Sequence, residues 1–516
     1  MHKILLNTPF GFVMELVNER VYELENPYEM LINGELFLSD TKNVISVFGL
    51  EPDSLYDVEL KFIDENFFFE HKTEKAGFVL NVSDFGASGD GTKDDTMAIN
   101  TAIYTAPSGS VVRLKKGTYM VSSVLLKSEI DLYLEEGAQI CQIPGREHLA
   151  TIKGYLKNYD HSQALANATW EGNPLDCFTS LIYGSNVEKI RIYGAGSLNG
   201  SGMESGFWIE HKTKNKAWRP RNLFLAHCND ITLAGITSQN SAAWNLHPFY
   251  SDNLKFFALY VKSDPNSPNT DGLNPDSSSN IEIVGCRFDV GDDCIAIKSG
   301  KFFMSRHHFK ASENIQIRNC LMEQGHGGVV VGSEISCGAR NVRVRQCLFR
   351  QTDRGLRIKT RRGRGSTCVI EDISVDNVQM IGVANCFTVN MFYNCDPDGH
   401  SDYVRSSLPL PVGDETPVVR DISLKNISAC EISGSAIFLA GLPESPIRNI
   451  VVEHSFFSFL PNRNVQCPEM MTDEVLIKDL GIYIKNTLDP VLSENHFDGE
   501  HIVVTENLET AACTIE

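Results

Sequence analysis

The sequence predicts an all-β chain in which a small antiparallel β-sandwich, residues 1–76, precedes a parallel β-helix, residues 77–516. Residues 1–76 alternate apolar and polar side chains in short runs separated by turn-forming pairs. Beyond Leu80 the alternation continues, but an Asn-led strand now recurs at intervals of roughly 24 to 34 residues, the length of a coil and not of a hairpin. The hydrophobic share of 42% over 516 residues supplies a large core, excludes global disorder and calls for either two domains or one elongated fold.

Taken in order, the first strands lie in Lys3–Leu6, Phe12–Leu16, Tyr28–Ile32, Val44–Phe48 and Tyr56–Leu60. Asn-Pro, Asn-Gly and Pro-Asp pairs part them, as in a sandwich. The segment Gly49 to Tyr56 resembles the turn and tyrosine of a fibronectin type III module. From Val82 the chain is turn-rich as far as Asp95, and Thr96–Ala106 reads as one short helix. A helix there would cap the first coil, whose core and sheet edges are otherwise open. The repeat proper shows in Asn222–Cys228, Asn280–Cys286, Asn314–Cys320 and Asn341–Cys347, with weaker copies at Asn253, Asp372, Asp421 and Asn449. Stacked coils bring equivalent residues to about 4.8 Å, so Asn should form a ladder at the turn and Cys a column in the core.

The net charge of -20 argues against binding nucleic acid or an anionic membrane. Yet between Arg340 and Arg364 stand ten Lys or Arg residues and one acid, Asp353, a basic strip on which a polyanion could dock. The 14 cysteines show no CxxC pair or zinc-like spacing, so packing is expected of them, not disulfides or metal. Met1–Arg20 lacks the form of an export signal and no apolar run is long enough to span a bilayer, which makes a cytoplasmic location the expectation.

Four short segments carry the chemistry: Asn269-Thr-Asp271-Gly, Gly291-Asp292-Asp293-Cys, Gly325-His326-Gly327 and Arg357-Ile-Lys359. Gly-Asp-Asp or Asn-Thr-Asp-Gly alone would be an exposed turn, and a lone histidine a satisfied structural group. Asp271 stands 21 residues before Asp292, close to one coil, so stacking puts it one rung from the Asp292–Asp293 pair. Three carboxylates so close cannot all ionise freely, and one should keep its proton. Glycoside hydrolysis needs that division between a protonated acid and an ionised base. The glycines beside His326 leave its imidazole room to reach a ligand or carboxylate. Arg357 and Lys359, two apart on a strand, share a face and can grip a uronate carboxylate. Arg354, Arg361, Arg362 and Arg364 extend the basic strip or are simply solvated.

With these four motifs in this order, residues 80 to about 460 resemble glycoside hydrolase family 28, the polygalacturonases. The resemblance implies a right-handed parallel β-helix and hydrolysis of α-1,4 galacturonide bonds with inversion and without a metal or other cofactor. Carried over by motif, Asp292 is the general acid, Asp271 and Asp293 hold and activate water, and His326 supports the acid's protonation. Arg357 and Lys359 bind the substrate carboxylate at the cleavage point, with Asn269 beside the catalytic aspartates. Tyr393, in Thr388–Asn394, matches a late family tyrosine near the substrate. His247 and Trp244, in Ala243–Pro248, match a segment bordering the cleft, although Trp244 suits core packing equally well.

The gap between Asp292 and His326 is long, with Lys301–Ala311 apparently added, and Arg146–Cys177, including Tyr155–Asp160 and Trp170, reads as an insertion. Such loops would close one end of the cleft. With the N-terminal module, they resemble bacterial exo-acting members, so a pectic oligo- or polysaccharide containing galacturonate is the expected partner. Three alternatives stay open: a rhamnogalacturonan or xylogalacturonan hydrolase, a calcium-dependent pectate lyase, and a glycan-binding β-helix without turnover. Oligomeric state is not legible in the sequence.

Overall fold

The computed structural model describes residues 2–156 and 165–507. The chain begins with seven strands: β1 (His2–Thr8), β2 (Gly11–Leu16), β3 (Glu23–Ile32), β4 (Glu35–Lys42), β5 (Val44–Phe48), β6 (Leu55–Lys61) and β7 (Asn66–Lys72). They pair antiparallel as β1-β2-β5 and β4-β3-β6-β7, and the two sheets close on Phe12, Met14, Met30, Ile45, Val47 and Leu60. At the start of β6 the Tyr56 hydroxyl accepts a hydrogen bond from the Glu51 N–H at 2.8 Å, the geometry of a tyrosine corner.

Helix α1 (Thr96–Thr105) buries Ile99, Ala102 and Ile103 against the open end of the next unit and so caps it. That unit is a right-handed parallel β-helix, whose alternating strands place every second apolar residue inside. Ile231, Leu254, Ile281, Ile315, Val342 and Ile373 pair in register on successive coils, all buried. Cys286, Cys320 and Cys347 lie in the same core, as the repeat predicts.

The asparagine ladder is present as well. Asn253, Asn280, Asn314 and Asn341 each donate Nδ2–H to the Asn Oδ1 one coil earlier, at 2.7, 3.2, 3.0 and 2.7 Å. All four have φ between 53° and 57°, left-handed backbone that Asn tolerates better than a branched residue does.

One sheet carries the site. Its inward column runs Leu246, Leu273, Ile295, Val329, Leu356, Phe387. The turns entering these strands are stacked too: the Gly272 N–H bonds the Asp293 carbonyl, and the Cys294 N–H bonds the Gly327 carbonyl. Motifs tens of residues apart in sequence thus become neighbours one rung apart. Excursions between coils rise beside this sheet. They include the segments around Trp170, Lys212 and Asp396, and helix α2 (Phe302–His307) in the added stretch Lys301–Ala311. Of the Arg146–Cys177 insertion, residues 157–164 lie outside the described residues.

The N-terminal sheets dock on a different flank. Phe10 stacks on Tyr133 at 4.5 Å, and the buried Glu15 carboxylate accepts from Arg318 Nε and Nη2 at 2.8 and 2.9 Å. No helix among the described residues is long and apolar enough to cross a membrane.

Candidate active site

A cleft of about 770 Å³ lies over the stacked turns, its floor formed by Asp271, Asp292, Asp293, Lys298 and Lys359. The three aspartates present oxygens within 4.8 Å of one another. They are close because their backbones stack and because glycines let neighbouring turns touch. A Cβ on Gly272 would collide with the Cys294 carbonyl, and one on Gly325 would lie 2.6 Å from the Asp292 carbonyl. Gly325, beside the exposed His326, therefore serves the close approach of neighbouring turns.

The aspartates differ in electrostatic state. Burial alone would raise the Asp293 pKa, but the Lys359 ammonium at 2.7 Å and Arg357 at 3.5 Å outweigh it and keep this carboxylate ionised. Burial and repulsion from Asp292 push Asp271 up to about 8. Asp292 is also raised, by burial and then by Asp293. The two form one couple, and the proton they retain belongs to the pair. Lys298 stands 3.7 Å from Asp271 and Asn274 donates to the same oxygen at 2.7 Å, which favours charge on Asp271. The proton is thereby biased toward Asp292, the only one of the three that is not fully buried.

His326 sits at the rim with Nδ1 2.7 Å from Asp353. That bond first, and then the field of Asp292, raises its pKa. Its direct carboxylate partner is thus Asp353 and not a catalytic aspartate. Asn269 lines the cleft and its Oδ1 accepts from Arg219 Nη2 at 2.6 Å. Tyr393 also lines it, its ring 5.5 Å from the Lys359 ammonium.

Three expectations need correction. His247 does not border the cleft: it is fully buried, with its ring 4.8 Å from that of Trp244 and its Nε2 3.5 Å from Asp276. Covered by Trp244, it has no surface to offer a sugar. Arg357 does not present an open fork, because Nε and Nη2 are taken by Glu469 at 2.9 and 3.0 Å. The basic strip is not a strip in space either. Arg340, Arg343, Arg350, Arg361, Arg362 and Arg364 each pair with an acid from another segment.

Lys298, Trp218 and Glu171 escaped the sequence reading, whereas Trp244 and Trp170 line the cleft that their segments were expected to border. Lys298 is buried between Glu334 at 3.0 Å and Asp271, beneath the Trp244 ring. Its signal was a charge ending the apolar run Ile295–Ile297, five residues after Asp293. Trp170, Trp218 and Trp244, three of the chain's four tryptophans, stand nearly parallel along one wall, with Trp170 stacked on Trp218 at 4.9 Å. Glu171 adds a carboxylate whose pKa is raised by burial and then by Glu334. Only spatial assembly reveals Trp218 and Glu171, since the excursions carry no repeat.

The three aspartates are the one grouping among the described residues that could hold a metal ion. Lys359 and Lys298 already balance that charge from within the chain.

Residues 146–454 match the family model for Glycosyl hydrolases family 28. The chain belongs to that family. Residues 79–141 match a second model, Rhamnogalacturonase A/epimerase, pectate lyase-like. Among family 28 relatives, a probable polygalacturonase of Vitis vinifera is 30% identical over 380 residues, 72% of each chain. The exo-poly-alpha-D-galacturonosidase of Dickeya chrysanthemi is 24% identical, covering 69% of this chain and 63% of its own. The family 28 exopolygalacturonase of Yersinia enterocolitica superposes over 98% of both chains with a TM-score of 0.69 at 18% identity, a likeness of fold that includes the N-terminal sheets. The Thermotoga maritima exopolygalacturonase gives 0.62 at 25% identity, covering 78% of this chain and 94% of its own.

Proposed function

We propose that this family 28 glycosidase hydrolyses the α-1,4 bonds of polygalacturonate and its oligomers, releasing sugars from a chain end. The observation that carries the proposal is the divided carboxylate set: one proton retained between Asp271 and Asp292 beside an Asp293 held ionised by Lys359 and Arg357. Asp292 protonates the glycosidic oxygen as the bond to the anomeric carbon breaks. A water held by Asp271 and Asp293 attacks that carbon and gives up its proton to them. The named activities of the relatives support the substrate.

Single displacement requires Asp293 not to attack the sugar itself. One oxygen of each carboxylate lies within 4.8 Å of one on each of the others, a closer approach than the roughly 6.5–9.5 Å usual between the carboxyl groups of inverting pairs. Spacing alone would therefore favour a covalent intermediate. Against that, both Asp293 oxygens are engaged, Oδ2 by Lys359 at 2.7 Å and Oδ1 by Arg357 at 3.5 Å. A carboxylate so held is a poor nucleophile and a good anchor for water. Exo-action is supported by the walls: Trp170 and Glu171 stand on one excursion, Asp396, Pro397 and His400 on another, all lining the same cleft.

The test is a product time course on trigalacturonate and polygalacturonate, with and without chelator, with the first anomer followed by NMR. Saturated monomer of inverted configuration, indifferent to chelator, is expected. An unsaturated, UV-absorbing product would replace hydrolysis with elimination, and binding without turnover would replace the enzyme with a lectin-like role.

A further inference from the structure

Glu469 lies in the irregular segment between the strands Phe456–Phe459 and Leu480–Lys485, far in sequence from every catalytic motif. Its carboxylate is buried against Arg357, accepting from Nε at 2.9 Å and Nη2 at 3.0 Å. This is the forked pairing that a uronate carboxylate would make with arginine. Thr388 Oγ1 adds a third bond at 2.8 Å, and Arg354 Nε lies 3.6 Å away. Driving Glu469 out would leave the buried Arg357 with Asp293 at 3.5 Å as its one anion, a costly state. The remaining edge of Arg357, Nη1, faces Asp293. Lys359 is bonded to Asp293 as well. Three cations, Arg354, Arg357 and Lys359, thus face three anions, Asp353, Asp293 and Glu469, and no surplus positive charge remains there. The cleft surface beside them is Tyr393, Asn394 and Met470, all uncharged. The Tyr393 and Asn390 side chains bond to Met470, which fixes this part of the wall.

We propose that Glu469 is a specificity-determining residue that fills the place of a substrate carboxylate, so that the sugar at the cleavage point is accepted with its carboxylate methyl-esterified. The inference rests on the galacturonan reading above and adds the ester state to it. A free acid at that sugar gains only a share of Lys359, while a methyl ester loses nothing and packs on Tyr393 and Met470. Selection for acid groups falls to other positions, such as Lys212, an exposed cleft residue.

The experiment compares kcat/KM on unesterified and fully methyl-esterified galacturonate tetramers for the wild type, Glu469→Gln and Thr388→Val. The wild type should favour the acid over the ester by less than tenfold. Glu469→Gln leaves Arg357 with surplus charge, so its preference for the acid should rise at least tenfold, mainly through a lower KM on the acid. Thr388→Val keeps every one of these charges and should stay within twofold of the wild-type ratio. A wild-type preference above tenfold, an unchanged ratio in Glu469→Gln, or an equal shift in Thr388→Val would overturn the assignment. Cleavage of neither tetramer by the wild type would instead overturn the galacturonan reading on which it stands.

Discussion

Asp271, Asp292 and Asp293 carry the same side chain and end in different states because their neighbours differ. Asp293 has two cations in contact, Asp271 has Lys298 at 3.7 Å and an amide donor, and Asp292 opens to the cleft. Asp292→Asn should cut turnover by about 10²–10⁴-fold with the fold intact, as expected for loss of a general acid; near-normal turnover would remove the assignment. The pH profile should keep its activity well into the acid range, because Asp293 stays ionised there. It should fall toward alkaline pH, where the Asp271–Asp292 couple, both members raised by burial and by a neighbouring carboxylate, gives up its proton. The same couple costs stability. The folded-state pKa of Asp271 is raised above its ordinary value of 3.8 by burial and then by Asp292, so between the two values the folded chain holds more protons than the unfolded one. Stability is then greatest below the ordinary value and declines as pH rises toward the folded value. Asp271→Asn should abolish turnover yet stabilise the protein by about 0.5–2 kcal/mol at pH 8, with the gain vanishing near pH 4. Thermal unfolding at the two pH values checks this; equal Tm shifts would show that ionisation is not the cause.

At the scale of the element, the stacked turns set the precision of the site. A Cβ at position 327 would collide with Val330 Cγ2 and lie 3.3 Å from Asp293 Oδ1. Gly327→Ala should therefore displace Asp293 and lower kcat more than tenfold, since small misplacements of catalytic groups cost heavily. Gly413→Ala, where an added methyl meets nothing within 4 Å, should leave kinetics unchanged. Similar losses in both would mean that helix-wide disturbance, not Asp293 placement, is being read. What the sequence made legible follows the same division. Asn253, Asn280, Asn314 and Asn341 could be read because each coil repeats one turn conformation, and the catalytic aspartates because they stand one coil apart. Glu469 and Glu171 could not, because they come from excursions that obey no period. His247 was misjudged for a related reason. Its strand position faces outward, but Trp244 covers it, and cover by a neighbouring side chain leaves no trace in local spacing. The basic run Arg340–Arg364 misled because a linear count of charges omits acids such as Glu444 and Asp396, which arrive from later coils.

Across the whole molecule, the N-terminal sheets and the β-helix share buried contacts remote from the cleft. Glu15 lies between Arg318 and Asn319, accepting from all three donors at 2.8 to 2.9 Å, and Arg191 reaches Glu74 at 2.7 Å. The Phe10–Tyr133 stack and the contact of Val44 with Val284 and Gly285 add apolar area, and Asn43 donates to Asn319 and Gln346 to the Asn18 and Arg20 carbonyls across the same junction. None of these residues lines the cleft, so the junction contributes stability without touching substrate. Glu15→Ala leaves the Arg318 guanidinium buried with only the half-exposed Glu282 at 3.5 Å as partner. Breaking one side of a buried ion pair costs about 3–5 kcal/mol. The loss should fall on docking of the N-terminal sheets, because the helix core is a separate cluster. In denaturant, the variant should unfold in two steps where the wild type shows one, and a protease should cut near residues 73–78 before it enters the helix. Below the first transition, kcat and KM should match the wild type. A single transition shifted as a whole would mean that the two parts fold as one cooperative unit, and a change in kcat would mean that the module holds the catalytic turns in place from the far flank.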